Sequence, residues 1–185
     1  MPTFAGVIGL LRFVGVLNAA VWLGAAVFCV LGVEPVTRGQ DMQGLLGQNN
    51  FPYFSAAIAQ LIAGRYFHLY LVCATVALLH VVAEWLYFGK YPQKFSLSLL
   101  VGLCVAGMAQ SYWLQPRLKA LHRTLHQTQA LRADQREEAT HAFHVTEFTA
   151  GSIEWLALGG LVVYLWRLTN PPDVPRFVSA TKFRS

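Results

Sequence analysis

The chain alternates long apolar runs with short polar connections. A helix needs about 20 apolar residues to cross a hydrocarbon core of about 30 Å, because each residue advances it by about 1.5 Å. Four runs are long enough, and a proline follows shortly after each of them, which is typical of a helix end. We therefore predict four transmembrane helices, at residues 4–33, 67–89, 95–114 and 143–168.

The two longer connections carry helical patterns of their own. Apolar residues at helical spacing predict a short helix in the plane of the interface at Ser55 to Ala63. Beyond Pro116 a leucine stripe continues, and Asp134 with Glu137 resembles a capping box. Helices three and four should therefore project beyond the bilayer as a hairpin that turns near Arg132.

The predicted fold is an all-α, four-transmembrane-helix bundle. It forms one domain over residues 1–185, with a polar tail at 169–185. A chain with 55% hydrophobic residues, 12% charged residues and a mean hydropathy of +0.44 is unsuited to a water-soluble fold of this size. The lipid bilayer is thus the first predicted partner.

The net charge of +5 does not indicate nucleic-acid binding. Lys and Arg flank the apolar runs, where they anchor helices beside anionic headgroups. Seven basic residues fall on each side of the predicted bundle, so the positive-inside rule gives no majority. The short Lys90 to Lys94 turn and the basic tail adjoin spans, which favours both termini in the cytoplasm of a bacterial inner membrane or its equivalent.

An ionisable side chain within lipid is energetically costly, so we expect each one to have a charged or hydrogen-bonding partner or a functional role. Counted from the nearest charged ends, Glu154 lies about 20 Å and His80 about 15 Å from the same face. A Glu154–His80 contact between helices four and two is therefore predicted. It could handle protons or ions, or it could be an interhelical hydrogen bond that holds the core together.

A second polar pair is predicted nearer the N-terminal side. Glu84 lies one turn from His80, within reach of Arg12 on helix one. The alternatives are an Arg12–Glu84 ion pair and an Arg12 side chain that extends into the headgroups. Asn18 could join either set.

A third polar layer lies at the opposite face and includes Gln110. His68 and His144 fall at nearly one level, where two imidazoles could ligate haem b or a metal ion. His141, His144 and Glu147 form an H-x-x-H-x-x-E pattern, a second possible metal site, although the spacing is broad for one ion. Interfacial hydrogen bonding is the alternative.

In the predicted hairpin, His122 and His126 form an H-x-x-x-H pair near Glu137 and Glu138. A solvated polar face is the expected role of these residues, rather than a metal site. The sequence contains no phosphate-binding loop, no G-x-S-x-G, no H-E-x-x-H and no CxxC. An ordinary hydrolase or nucleotide enzyme is therefore not expected.

Three short motifs occur in a familiar order. They are Arg65-Tyr66-Phe67-His68-Leu69, Trp113-Leu114-Gln115-Pro116-Arg117 and Phe143-His144. Because of these motifs and their order, the chain resembles the uncharacterised four-helix membrane family that includes transmembrane protein 205. The resemblance implies a four-helix membrane protein without an assigned reaction, with the family's recurrent histidines at His68 and His144. Glu147 and Glu154 depart from the family pattern.

Three hypotheses for function follow. The first is a non-enzymatic scaffold or accessory subunit that binds other membrane subunits or a second copy through small-residue faces such as Gly15/Ala19. The second is a haem- or metal-binding redox protein that uses His68 and His144. The third is a small proton-coupled transporter that uses Glu154 and His80.

Overall fold

The structure, a computed structural model, describes residues 4–88, 94–127 and 133–170 of the chain. These ranges are almost entirely helical and contain no strand. Four helical segments are long and apolar enough to cross a membrane, which confirms the predicted all-α bundle. The spans, numbered one to four, are Gly9–Arg38, Tyr53–Tyr87, Lys94–Leu125 and Asp134–Thr169.

Span one does not end at Glu34-Pro35 as predicted. Helix α1, Phe4–Val27, passes into a π-helical turn at Phe28–Val33 and then into helix α2, Glu34–Arg38. A proline ring crowds the carbonyl group four residues earlier and removes one backbone donor. A π-helical turn closes i→i+5 hydrogen bonds and is wider. The wider turn directly before Pro35 accommodates its ring, so the helix continues.

Span three repeats this arrangement. Helix α5 is Lys94–Ala109, a π-helical turn occupies Gln110–Leu114, and helix α6 is Gln115–Gln127. Pro116 is therefore the second residue of α6 and not a stop. The predicted stops at Pro92 and Pro171 lie outside the described residues.

The connection between spans one and two differs from the prediction. A short helix does lie there, but it is α3, Gln40–Leu46, which ends at Gly47 with φ of 73°. A left-handed backbone of this kind favours glycine. Ser55 to Ala63 instead belongs to helix α4, Phe51–Phe88, which runs without a break. The predicted in-plane helix is thus the first part of span two.

Span four begins earlier than the apolar run. Its helix α7 covers Ala133–Thr169. Leu118 of α6 and Leu114 of the preceding π-helical turn pack against Phe143 and Ala150 of α7. Continuation of spans three and four past the apolar runs agrees with the predicted hairpin. The turn near Arg132 and the tail beyond residue 170 lie outside the described residues.

The spans are longer than a bilayer core requires. They contain 30 to 36 residues, which corresponds to about 45–54 Å of helix against a core of about 30 Å. The excess length allows the polar end of helix α6 and the start of α7 to extend beyond the hydrocarbon. Large apolar side chains such as Phe148 and Leu156, 78% and 76% exposed, cover the outside of the bundle, where lipid is their solvent.

An aromatic cluster forms the centre of the bundle. Trp22 of α1 is fully buried, and its ring meets Tyr70 of α4 edge-on, with centroids 4.8 Å apart. The ring of Tyr164 from α7 also meets Trp22, with centroids 6.4 Å apart. The Tyr70 hydroxyl donates to the carbonyl oxygen of Leu103 in α5, 2.9 Å away. One cluster therefore joins all four spans.

Gly107 should be required for the contact between spans two and three. A Cβ atom there would overlap the Tyr70 ring, whereas one at Gly102, on the same helix, would meet nothing within 4 Å. We expect Gly107→Ala to lower the free energy of unfolding by about 1–3 kcal/mol. Gly102→Ala should be neutral or slightly stabilising, because alanine is the better helix former.

Thermal unfolding of both variants in mild detergent measures this difference. Equal melting temperatures for the two variants would mean that Tyr70 does not pack against α5 as described.

Candidate functional site

A cleft of about 270 Å³ lies between the four spans, at the end of the bundle away from Phe4 and Thr169. Span one contributes its π-helical turn and α2, span two the beginning of α4, span three the beginning of α6, and span four the middle of α7. Apolar side chains form most of the wall. The polar side chains in it are Glu34, Thr37, Arg38, Ser55, Gln60, Tyr66, Gln115, Glu147 and Glu154.

The cleft exists because two helices present small residues to it. Ala56, Ala59 and Ala63 recur on one face of α4, and Ala150 with Gly151 lies opposite on α7. Larger side chains at these positions would fill the space, as Trp22 does nearer the centre of the bundle. The short side chains leave a gap whose deeper wall includes Tyr66 and Glu154.

An ion-pair network bridges spans one and four at the cleft. An Arg38 guanidinium nitrogen lies 2.9 Å from a Glu34 carboxylate oxygen, one turn earlier, and 3.1 Å from Glu147 on α7. His144 Nδ1 lies 3.8 Å from the other Glu147 oxygen. Glu34 follows the predicted first span, 4–33, and was expected to lie beyond the helix, so this network was not predicted. Only the i,i+4 spacing of Glu34 and Arg38 could have indicated it.

Glu154 lies two turns deeper than Glu147, about 10 Å along α7. It lines the cleft, yet no hydrogen bond or ion pair joins its carboxylate to another residue in the described part of the chain. Nearby, the Gln115 side-chain oxygen is buried and accepts no hydrogen bond there. The inner cleft thus contains polar groups that the described protein does not satisfy.

The predicted Glu154–His80 contact is not formed. The His80 ring is 5% exposed, and its Nε2 donates to the carbonyl oxygen of Leu11 on α1, 2.9 Å away. Gly15 provides the space, since a Cβ atom there would lie 2.6 Å from Nε2. Tyr66, which lies beside Glu154, precedes His80 by about 21 Å along α4. The two predicted partners are therefore at different depths.

The second predicted pair is also absent. No ion pair joins Arg12 to Glu84 among the described residues, and Arg12 is exposed on α1. This position agrees with the alternative, an arginine that extends to the headgroups. Asn18 joins neither set, because its side-chain amide donates to the carbonyl oxygen of Cys73, 2.9 Å away. It links spans one and two.

Gln110 serves a similar purpose between spans three and four. It is 3% exposed, and its side-chain amide donates to the carbonyl oxygen of Ala150, 2.6 Å away. It belongs to the layer of Glu154 rather than to the layer of His68 and His144, because Gln110 and Glu154 line the same small cavity.

The proposed haem or metal ligands do not converge. His68 is exposed on α4, and its Nδ1 bonds to the carbonyl oxygen of Gly64 in the same helix. His144 is exposed on α7, with its side chain 69% accessible. His141 is exposed as well, and of the H-x-x-H-x-x-E set only His144 and Glu147 approach each other. No group of three His, Cys, Asp or Glu side chains in the described ranges could hold a metal ion.

The expectation of a solvated histidine face in the hairpin is wrong for His122. Its ring is 4% exposed and stacks on Tyr53, with centroids 5.3 Å apart and planes at 22°. Phe143 packs on it from α7. The His126 side chain lies outside the described residues. Glu137 and Glu138 are exposed, as expected.

These observations define a class of protein. Four long apolar helices, with large apolar side chains on the outside of the bundle, make this a multi-pass integral membrane protein. Residues 17–127 match a family described as a domain of unknown function, DUF4149. The match covers more than half of the chain, so the chain belongs to that family.

The family match agrees with the resemblance drawn from the sequence motifs, in that both indicate an uncharacterised family. It does not name transmembrane protein 205, so that finer relationship stays a prediction. The match includes Glu34, Arg38 and Gln115 but ends before α7, which carries Glu147 and Glu154. No curated protein and no solved structure matches the chain.

The Arg38–Glu147 contact should be measurable as an energetic coupling. In a double-mutant cycle with Arg38→Gln and Glu147→Gln, we expect about 0.5–1 kcal/mol of coupling in the free energy of unfolding. The value is small because the Arg38 side chain is 59% exposed and solvent screens the pair.

Unfolding by denaturant in detergent micelles provides the free energies. The matched control is a cycle between Arg38→Gln and Glu137→Gln, because Glu137 is on the same helix but outside the cleft; its coupling should be near zero. Equal coupling in the two cycles would contradict the bridge.

Proposed function

We propose that the protein is a membrane carrier that binds small organic cations in the acidic cleft. The observation that carries this proposal is the Glu154 carboxylate, which lies within a membrane span, lines a cleft and pairs with no described residue. A carboxylate in that position is costly unless a counter-ion, a proton or a functional role offsets the cost. A bound cation supplies the missing partner.

The charges around the cleft favour a positively charged ligand. Three carboxylates, Glu34, Glu147 and Glu154, face one guanidinium, that of Arg38, so these groups carry a net charge of −2 when ionised. Arg38 is already engaged by Glu34 and Glu147. The charge left uncompensated is therefore at the inner end, where Glu154 lies.

The rest of the wall favours an organic cation over a bare inorganic ion. Val33, Ile62 and Leu118 line the cleft and can pack against alkyl groups. The rings of Tyr66 and Phe143 also line it, and aromatic faces attract ammonium groups. Hard inorganic cations prefer a complete shell of oxygen atoms, whereas apolar side chains form most of this wall.

The orientation that the sequence favours determines where the ligand comes from. The cleft lies at the end of the bundle opposite the termini. With both termini in the cytoplasm, which remains part of the proposal, the cleft opens on the non-cytoplasmic face. Accessibility mapping of a terminal tag tests this orientation directly.

Removal of the Glu154 charge should weaken cation binding. We expect the purified protein to bind choline and to reject dimethylbutanol, its uncharged carbon isostere, in calorimetric titrations. Glu154→Gln should lower the choline affinity by at least about tenfold, the equivalent of about 1.4 kcal/mol, because the counter-ion is lost. The matched control is Glu137→Gln, which removes a charge from the same helix outside the cleft and should bind choline normally.

The titration is made in detergent without lipid, so that ammonium headgroups do not compete for the cleft. Equal affinity for choline and dimethylbutanol in the unmodified protein would overturn the proposal, whether or not the variants fold. Undiminished choline binding by folded Glu154→Gln would overturn it as well.

One observation favours the accessory-subunit function predicted from the sequence. A Cβ atom added at Gly24, Gly102 or Gly159 would meet nothing within 4 Å, so no close contact within the described ranges depends on these glycines. Small residues at membrane helix interfaces allow close approach of a second protein. Under this function, Gly24→Leu should reduce the apparent mass of the complex extracted in mild detergent, while Glu154→Gln should not.

A further inference from the structure

A second, much smaller cavity adjoins the cleft. It measures about 10 Å³ and is lined by Gln110, Tyr66 and Glu154, among others. Tyr66 and Glu154 line both spaces, so they separate the inner cavity from the cleft. A volume of roughly 10 Å³ accommodates the centre of about one water molecule. The inner cavity is therefore too small for an organic cation.

Gln110 presents an unused acceptor in this layer. Its amide nitrogen must face the Ala150 carbonyl oxygen, 2.6 Å away, because two oxygens could not share a hydrogen bond there. The Gln110 side-chain oxygen is consequently the remaining polar atom, and it is buried without a donor in the described part of the chain. A buried acceptor of this kind costs about 1–3 kcal/mol when unsatisfied. A water molecule or a protonated acid could satisfy it.

We propose that the inner cavity holds one water molecule that connects Gln110 to a protonated Glu154, making Glu154 a proton-binding site that exchanges its proton for the cation. This inference rests on the proposed cation-binding function and names its coupling ion. In the proton-loaded state, the Glu154 carboxylic acid donates to the water, and the water donates to the Gln110 oxygen. All three groups then have partners, and the site is neutral.

A metal ion fits the inner cavity less well than a proton and water. Among the residues that line it, only Glu154, Gln110, Tyr66 and Tyr70 have side-chain oxygen atoms, and the Tyr70 hydroxyl already donates to Leu103. Hard cations such as Ca²⁺ and Mg²⁺ take about six or more oxygen ligands. A proton requires one carboxylate and one hydrogen-bond acceptor, which the site provides.

The exchange balances in charge. When the cation arrives, the Glu154 O–H bond breaks, the electron pair stays on the carboxylate oxygen, and the proton leaves to water in the cleft. One positive charge departs as another enters, so the buried layer does not change its net charge.

The groups that face Glu154 from the packed spans are Cys29, Glu34 and Arg38 of span one, Tyr66 and Tyr70 of span two, the uncharged Gln110 and Gln115 of span three, and Glu147 of its own helix.

Proton release on cation binding tests the proposal. Choline is added to the purified protein at mildly acidic pH, where Glu154 is protonated under the proposal, in weakly buffered detergent solution with a pH indicator dye. We expect about one proton released per choline bound. Binding should also weaken as the pH falls, by about tenfold per pH unit where Glu154 is protonated, because the proton and the cation compete for one carboxylate. Choline binding that releases no proton would overturn the coupling and leave the proposed function standing.

An infrared measurement makes the inference testable even if choline does not bind. At mildly acidic pH, the carbonyl stretch of a protonated carboxylic acid should appear in the unmodified protein and disappear in Glu154→Gln. In Gln110→Leu the same band should move to higher frequency, since the acid loses its hydrogen-bonded chain. Gln115→Leu is the matched control, because the Gln115 oxygen is also buried and unpartnered but lines only the cleft.

An unmoved band in Gln110→Leu, or an equal shift in both glutamine variants, would overturn the water bridge. Absence of choline binding together with the expected Glu154 band would reject the proposed ligand but retain the proton site.

Discussion

Hydrocarbon offers no hydrogen-bond partner to a backbone amide or carbonyl group, so a chain that crosses a bilayer must satisfy these groups within its own helices. The behaviour of Pro35 and Pro116 follows from this constraint. In a water-soluble protein, either proline could end its helix, because water would bond to the freed groups. Here each follows a π-helical turn, at Phe28–Val33 and Gln110–Leu114, and the helix continues past the ring. Both turns adjoin the acidic cleft.

The two turns determine what faces the cleft. Insertion of one residue into an α-helix rotates every later side chain by about 100°. Glu34, Arg38 and Gln115 all follow a π-helical turn and all line the cleft. Local irregularity of this kind is frequent at functional sites, since it redirects side chains without ending a helix. The position of the cleft therefore depends on the prolines as well as on the small residues of α4 and α7.

Much of the fold follows from the hydropathy pattern alone, because few structures other than long apolar helices can cross a bilayer. The number and order of the spans could be predicted, and so could the continuation of spans three and four. The helix bounds could not, since a proline stop is a rule for water, and Gly64 and Arg65 interrupt the apolar pattern of α4 where its backbone does not break. Among the site residues, Glu154 stands out as an acid in an apolar run, whereas its surroundings were predicted incorrectly.

The depth of His80 was counted from the nearest charged end of its helix, as if that end lay at the membrane surface, yet the spans are longer than the hydrocarbon core is thick. Glu34 and Arg38 could not be placed opposite Glu147 without the π-helical turn, which has no established sequence signal.

The interhelical hydrogen bonds of the core all join a side-chain donor to a main-chain acceptor. Asn18, Tyr70, His80 and Gln110 each donate to a main-chain oxygen on a neighbouring span, at Cys73, Leu103, Leu11 and Ala150 respectively. Every amino acid supplies that oxygen, so the accepting positions are free to change in evolution while the bond persists. These links should consequently leave no trace of correlated substitution between the spans, and methods that infer proximity from paired changes would overlook them.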